Sequence, residues 1–74
     1  MAIFSERLKE IRKNKGLTQK QAAEGLNILE RNYQHFEAKT GGRKPSFDTL
    51  IALADYFDVS LDYLTGRSDK PKRY

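Results

Sequence analysis

The sequence predicts an all-α fold, a compact bundle of five short helices in a single domain. Apolar residues recur at helical spacing in five segments, and most of these segments open with Ser or Thr and close with Gly, Asn or Asp. No stretch alternates polar and apolar residues for long enough to predict a strand. With 74 residues, the chain has room for one hydrophobic core and none for a second.

The first helix is expected to begin at Ser5, whose side chain can cap its N-terminus, and to stop at Gly16. Phe4, Leu8 and Ile11 are spaced so that they share one face of this helix. Acidic residues near its beginning and basic residues near its end complement the helix dipole. The shared apolar face is therefore the expected contribution of the first helix to the core.

The second and third helices form the most informative stretch of the chain. Thr18 and Gln21 have the spacing of a capping box, so a short helix is expected from Gln19 to about Leu26. Asn27 interrupts it, and a segment from about Leu29 to Ala38 resumes the helical spacing. Two short helices joined by a tight turn are the frame that places a helix in the major groove of DNA.

Two more helices follow a loop, which Gly and Pro predict between residues 39 and 45. Ser46 caps a fourth helix over about Phe47 to Phe57. Helical spacing gives that helix a buried stripe made of Leu50, Leu53, Ala54 and Phe57. Asp58 ends the fourth helix, and a short fifth helix runs from Ser60 to just before Gly66.

The last residues of the chain differ in composition from the rest. Residues 67–74 are polar and basic and contain Pro71. We expect them to form a frayed tail. The chain then divides into one domain over residues 1–66 and a short basic tail over residues 67–74.

Composition argues against several functional classes. The chain has no Cys, so it can build neither a disulfide framework nor a thiolate metal site. Its single His cannot form a metal site alone. It has no Gly-rich phosphate loop, so we expect no enzyme activity, small-molecule substrate, metal or cofactor. No apolar run approaches the roughly 18 residues of a membrane span, and no signal peptide is visible, which predicts a cytoplasmic protein. The net charge of +4 and the pI near 9.5 fit a polyanionic partner, but charge alone favours DNA only slightly.

An ordered series of residues runs through four of the predicted helices. It comprises Thr18-Gln19, Ala23, Leu26, Ile28, Glu37, Lys44-Pro45-Ser46, Leu50, Leu53-Ala54, Val59-Ser60-Leu61-Asp62 and Leu64. Taken together, the series resembles the Xre-type, lambda-repressor-like helix-turn-helix family, over roughly residues 5 to 66. The resemblance implies a five-helix fold with the helix-turn-helix at helices 2 and 3. It also implies a small DNA-binding regulator of bacteria or their mobile elements.

Several positions depart from the family pattern. Asn27 stands where the turn usually has Gly, and Asn is the next best residue for a left-handed conformation, so the turn should survive. Ala22 replaces a commoner Leu and leaves core volume for Tyr33 to fill. Leu29 occupies the usual polar N-cap of the recognition helix. Because Leu cannot accept from the first helical amides, we expect that helix start to be shifted or frayed.

The recognition helix carries the residues that we expect to read bases. Tyr33 and Phe36 are three apart and should face the core, which turns their neighbours outward. The expected readers are Glu30, Arg31, Asn32, Gln34 and, less strongly, His35. Alternatives stay open for three of them. Glu30 equally suits a role complementing the helix dipole, Arg31 equally suits a phosphate contact, and His35 suits a solvated or packing role better than DNA contact.

A second set of residues is expected to contact phosphates. The N-terminus of the second helix attracts phosphate, and there Thr18 caps while the resemblance implies that Gln19 contacts the DNA backbone. Lys39, Arg43 and Lys44 surround the loop beside the recognition helix and suit contacts that fix register on the duplex. The alternative for these three cations is an ordinary solvated loop.

The resemblance further implies that Arg12 pairs with Glu37 and pins the angle of the recognition helix, a structural role. The leading hypothesis is a sequence-specific transcriptional regulator, a repressor that binds a pseudo-palindromic operator as a homodimer. Candidates for the dimer contact are Tyr56, Leu61 and Tyr63, although each can instead cover the edge of the core, and for Leu61 that reading is the better one. The alternative function is a protein-binding module, such as an antitoxin or an antagonist of another regulator.

Overall fold

The computed structural model describes residues 3–38 and 45–72, and of Ile3 the backbone alone. The described chain forms five helices: α1 (Ile3–Asn14), α2 (Gln19–Leu26), α3 (Glu30–Glu37), α4 (Phe47–Phe57) and α5 (Leu61–Thr65). The predicted all-α fold is confirmed. One boundary was wrong, because α1 begins at Ile3 and not after Ser5. Ser5 is buried inside the first turn, and the earlier start carries Phe4 onto the core within helical geometry.

Every described helix contributes to one hydrophobic core. The buried apolar residues are Leu8, Ile11, Ala22, Ala23, Tyr33, Leu53, Ala54, Phe57, Val59 and Leu64. Tyr33 from α3 is fully buried, and it is the largest of the side chains that lose all contact with solvent. α3 packs against both α1 and α2, while α4 packs against α2 and α5. The core therefore grips one side of α3 and leaves its opposite side exposed.

Left-handed residues follow four of the five described helices, and Gly66 after α5 is one of them, with φ 88°. Asn27 has φ 59° and ψ 43°, and its amide bonds back to the last turn of α2, so the predicted turn survives without Gly. Asp58 has φ 56° and ends α4 in the same way. Gly16, after α1, has φ +72°, and a Cβ there would meet nothing within 4 Å, so the backbone angle and not crowding favours glycine.

Three of the described helices begin at a hydroxyl cap. The oxygens of Thr18, Ser46 and Ser60 accept from the amide three residues later, at 3.0, 3.2 and 3.0 Å. Gln21 also accepts from the Thr18 amide, which completes the predicted capping box. α3 begins directly after Leu29 with no side-chain cap, as the sequence indicated. The expected shift or fraying of this start is wrong, because the Tyr33 amide donates to the Leu29 carbonyl at 3.0 Å and closes the first turn.

Residues 67–71 do not form the frayed tail that we expected. The amides of Arg67 and Ser68 donate to the Asp62 carbonyl at 2.7 and 3.1 Å. The Ser60 amide donates to the Pro71 carbonyl at 2.9 Å. These bonds fold the segment back on α5, and we call residues 67–71 the strap. These hydrogen bonds join backbone groups, which every residue type except proline can supply on both sides. The basic composition of the segment therefore gave no sign that it folds back.

Arg7 joins α1 to the strap. Its Nη1 donates to the carbonyls of Tyr63 and Ser68, at 2.6 Å each, and its Nη2 lies 3.0 Å from Asp69 Oδ1. The guanidinium also lies over the Tyr63 ring, 4.3 Å from its centroid. One side chain from the beginning of the chain therefore fastens both the last helix and the strap.

Candidate nucleic-acid interface

The exposed side of α3 holds the residues expected to read bases. Glu30, Arg31, Asn32 and Gln34 are exposed, and His35 is half-buried. Gln34 Nε2 lies 3.4 Å from Glu30 Oε2, one helical turn away, so these two side chains form one polar surface. The structure thus brings the five residues together on one helix. Which of them contact bases stays a prediction.

The opposite side of α3 is anchored by Tyr33 and Phe36. Tyr33 is fully buried, and Phe36 is half-buried with its ring 6.4 Å from the Tyr33 ring in an edge-on arrangement. Both therefore face inward, as their spacing indicated. Because a rigid aromatic pair holds this side, the polar surface of α3 has a fixed direction.

Arg12 and Glu37 form a buried ion pair where α1 meets the end of α3. Arg12 Nε donates to Glu37 Oε2 at 2.7 Å, and Nη2 donates to Oε1 at 3.1 Å. Arg12 Nη1 also donates to the Leu17 carbonyl at 2.7 Å, just before α2. The two-pronged contact fixes both distance and orientation, because a guanidinium and a carboxylate meet in one plane. The pair therefore ties α1, the α1–α2 connection and α3 together.

Charge pairing controls the ionisation of this junction. Burial alone would raise the pKa of Glu37, but hydrogen bonds, from Arg12 above all, bring that pKa below its ordinary value. The hydrogen bond to Glu37 raises the pKa of Arg12. Burial, followed by the nearby Glu37 carboxylate, raises the pKa of Tyr33, whose hydroxyl completes no hydrogen bond with the described residues. The pair is thus ionised and the phenol neutral at physiological pH.

The start of α2 contacts the same junction. Gln19 Nε2 donates to Glu37 Oε1 at 3.2 Å, so the first residue of α2 is linked to the last residue of α3. Thr18 is exposed beside it, with its hydroxyl occupied by the cap. The phosphate contacts expected of both residues stay predictions, and a contact by Gln19 would come from a side chain already oriented by Glu37.

The remaining expected phosphate contacts, Lys39, Arg43 and Lys44, lie outside the described residues. The loop that carries them separates α3 from α4 in the sequence. The phosphate contacts expected of these three residues therefore stay predictions.

The three residues expected at the dimer contact each pack against a different part of the domain. Tyr56 is 38% exposed and its ring lies directly against Gly25 of α2, where a Cβ would collide with it. Leu61 is half-buried and packs against the core. Tyr63 is half-buried beneath the Arg7 guanidinium. Each of the three therefore has an intramolecular contact, and the dimer contact itself stays a prediction.

Sequence reasoning missed some features of the structure. It assigned no role to Arg7, whose partners lie 56 to 62 residues away and leave no local pattern. It also gave no role to Phe47, which is 68% exposed at the start of α4.

Among the described residues, no group of three or more His, Cys, Asp or Glu side chains could hold a metal ion. In the same part of the chain, no helix is long and apolar enough to cross a membrane.

A comparison with protein-family models matches residues 8–64 to a model described as helix-turn-helix. The match begins inside α1 and ends inside α5, so it covers the interface just described. It spans the capping box, the turn at Asn27 and the recognition helix. It also includes both members of the buried pair, Arg12 and Glu37.

Several curated proteins are similar to the chain. The HTH-type transcriptional regulator ImmR of Bacillus subtilis (strain 168) is 44% identical over 70 residues, which cover 95% of this chain and 54% of ImmR. The uncharacterized HTH-type transcriptional regulator YobD of the same strain is 39% identical over 69 residues, covering 93% of this chain and 60% of YobD. The cryptic phage CTXphi transcriptional repressor RstR of Vibrio cholerae is 36% identical over 64 residues, covering 86% of this chain and 55% of RstR. The chain therefore spans between half and two thirds of the length of these relatives.

Proposed function

The chain belongs to the Xre-type helix-turn-helix family, and from that premise we propose that it is a sequence-specific DNA-binding transcriptional regulator. In this proposal α3 enters the major groove, and Glu30, Arg31, Asn32, Gln34 and His35 meet base edges or the adjoining backbone. The observation that carries the proposal is the two-sided character of α3. Its inner side is locked by aromatic packing and by the Arg12–Glu37 pair, while its outer side is an open polar surface.

The chemistry of the outer side suits base recognition. Arg31 can donate two parallel hydrogen bonds to guanine O6 and N7, and Glu30 can accept from cytosine N4. Asn32 and Gln34 can each bond an adenine through both ends of the amide. Three of these side chains lie in the first turn of α3, and the first residues of a recognition helix are those that reach base edges.

Phosphate contacts are proposed for residues that precede and residues that follow the recognition helix in the sequence. The N-terminus of α2 offers backbone amides and a favourable dipole, with Thr18 and Gln19 beside it. Lys39, Arg43 and Lys44, which follow α3 in the sequence, are proposed to neutralise further phosphates. All of these proposed contacts lie within residues 1–66, so we retain that range as the DNA-binding domain. We propose that residues 67–74, which comprise the strap and the residues after it, make no base contact.

We further propose that the protein acts as a homodimer and as a repressor. The Cα atoms of the structure extend over 30 × 24 × 22 Å, a size compatible with two copies whose α3 helices lie about 34 Å apart, one turn of DNA. Tyr56, Leu61 and Tyr63 remain the proposed contact residues. Repression is proposed because one relative, RstR, is named a transcriptional repressor. A ligand that is chromosomal or phage DNA makes the cytoplasm the proposed location.

Selection of bound sequences from a random duplex library tests this proposal. We expect a two-fold-symmetric site that is still bound at about 0.15 M salt, with log affinity falling by roughly 0.9 per log salt for each phosphate neutralised. No consensus, together with binding at low salt only, would refute a sequence-specific regulator. A second chain that copurifies in that case would favour the protein-binding alternative.

Substitutions at Arg31 separate base reading from simple attraction. Arg31→Ala should weaken binding to the selected site by about 1–3 kcal/mol and relax the preference at one base pair. Arg31→Lys keeps the charge and loses the two-pronged geometry, so it should recover only the charge-dependent part of the affinity and leave that preference relaxed. Lys9→Ala, on the exposed side of α1, removes the same charge and serves as the matched control. Equal losses for Arg31→Ala and Lys9→Ala on all sequences would contradict base reading by Arg31.

A further inference from the structure

Leu29 is placed where folding has no use for it. It is the N-cap residue of α3, it is 62% exposed, and its side chain makes no capping hydrogen bond. Ile28, the preceding residue, packs against the core, whereas Leu29 is absent from the described apolar residues that do so. The backbone carbonyl of Leu29 accepts from the Tyr33 amide at 3.0 Å, a bond that any residue could supply. The leucine side chain therefore serves neither the cap nor the core.

A polar residue at position 29 would stabilise the domain. Ser, Thr, Asn and Asp are favoured at N-caps because their side chains accept from the exposed first amides of the helix. The described helices α2, α4 and α5 all use such a residue. A single exposed leucine is ordinary on a protein surface, so exposure alone carries no conclusion. A leucine that replaces a cap directly before the polar surface of α3 is different, since local rules are broken most often where function requires it.

We infer that Leu29 reads a thymine methyl group in the major groove, an inference that rests on the proposed DNA-binding function. Thymine is the one standard base that presents a methyl group there, and apolar side chains are its natural partners. Leu29 directly precedes Glu30 and Arg31, both exposed at the start of α3. The three consecutive side chains offer an apolar surface, an acceptor and a donor. Each half-site should therefore contain a thymine beside the base pairs that Glu30 and Arg31 read.

Replacing thymine with deoxyuridine tests this directly, because it removes the methyl group and leaves every hydrogen bond of the base pair in place. Each thymine of the selected operator is replaced in turn in one half-site, and affinity is measured for the wild type and for Leu29→Ala. At one position the wild type should lose about fourfold in affinity, the ratio expected for burying one methyl group. Leu29→Ala should show no loss at that position, and the two proteins should respond alike at all others.

Two variants separate base reading from folding. Leu29→Asn restores a polar cap, so its melting temperature should rise by about 4–8 °C, the shift that roughly one such cap gives in a domain of this size. The same variant should lose the methyl dependence, which a stability defect could not explain. Ile51→Ala truncates another exposed apolar side chain, on α4, and should keep the wild-type methyl dependence.

The outcomes distinguish the inference from the function on which it rests. A specific operator with the same uracil profile for the wild type and Leu29→Ala would overturn the role of Leu29 and leave the proposed regulator standing. Recovery of no operator would overturn both, since there would be no base reading for Leu29 to join. A methyl dependence that Leu29→Ala abolishes at one position of the substituted half-site would support both.

Discussion

Replacement of Glu37 with Ala perturbs the junction that orients the recognition helix. The change removes hydrogen bonds from Arg12 Nε at 2.7 Å, from Arg12 Nη2 at 3.1 Å and from Gln19 Nε2 at 3.2 Å. Arg12 is 8% exposed and would retain the Leu17 carbonyl as its hydrogen-bond acceptor among the described residues. Leaving one charge of a buried pair uncompensated costs about 3–5 kcal/mol. The side chains of Arg12 and Glu37 are only 9% and 2% exposed, so the pair belongs to the class of buried ion pairs.

Thermal unfolding followed by circular dichroism measures this loss. A domain of this size loses roughly 4–8 °C of melting temperature for each kcal/mol, so Glu37→Ala should melt lower by roughly 12 °C or more. Glu30→Ala, which removes an exposed carboxylate from the same helix, is the matched control and should change stability by about 0.5 kcal/mol or less. If the two variants melt within a few degrees of each other, the pair does not hold α3 in place and the reasoning is refuted.

The same carboxylate should make stability depend on pH. Hydrogen bonding, chiefly from Arg12, holds the pKa of Glu37 below its ordinary value of 4.5 in the folded protein despite burial. A depressed pKa means that the unfolded chain binds the proton more tightly, so this stabilisation is complete above pH 4.5 and is lost as the pH falls through the folded pKa. In Glu37→Gln that acid-dependent loss should shrink. An unchanged pH profile would show that other carboxylates dominate.

Three further changes test other contacts. Arg7→Ala should destabilise the domain by about 2–3 kcal/mol and speed hydrogen exchange at the strap amides, because charged hydrogen bonds to two carbonyls are lost. Asp69→Ala removes a solvated partner of the same guanidinium and should cost under about 0.5 kcal/mol. Gly25→Ala should destabilise the wild type because its Cβ collides with the Tyr56 ring, yet stabilise a Tyr56→Ala variant by about 1 kcal/mol through helix propensity, as denaturant titration would show. Tyr33→Phe should change unfolding free energy by less than about 1 kcal/mol, since the hydroxyl completes no hydrogen bond, and a larger loss would reveal one.

Local signals explain why most of the fold was predictable. Thr18 with Gln21, Ser46 and Ser60 mark helix starts because their oxygens bond amides only three residues away. Asn27 marks a helix end through its own backbone angle. Such rules act within one helical turn, and a sequence displays them directly. The start of α1 was the exception, since Ser5 has the residue type of a cap but lies on the buried side of the helix.

The contacts that escaped prediction depend on long-range geometry. The polar face of α3 follows from spacing, because Tyr33 and Phe36 fix which side turns inward. The bond between Gln19 and Glu37 joins two helices and became visible only once their packing was known. Arg7 is an ordinary basic residue of an amphipathic helix until α5 and the strap reach it. No composition rule distinguishes it from its exposed neighbour Lys9.

The Arg7 contact also constrains the order in which the domain can fold during synthesis. Its acceptors are the carbonyls of Tyr63 and Ser68, so α1 gains these bonds only after residues 63–68 have left the ribosome. The contacts among α1, α2 and α3 span far shorter loops and can close earlier. In a nascent chain, α1, α2 and α3 could then pack together before Arg7 reaches its acceptors. A chain arrested before residue 68 would still bring α1, α2 and α3 together, but its Arg7 guanidinium would lack the acceptor at Ser68.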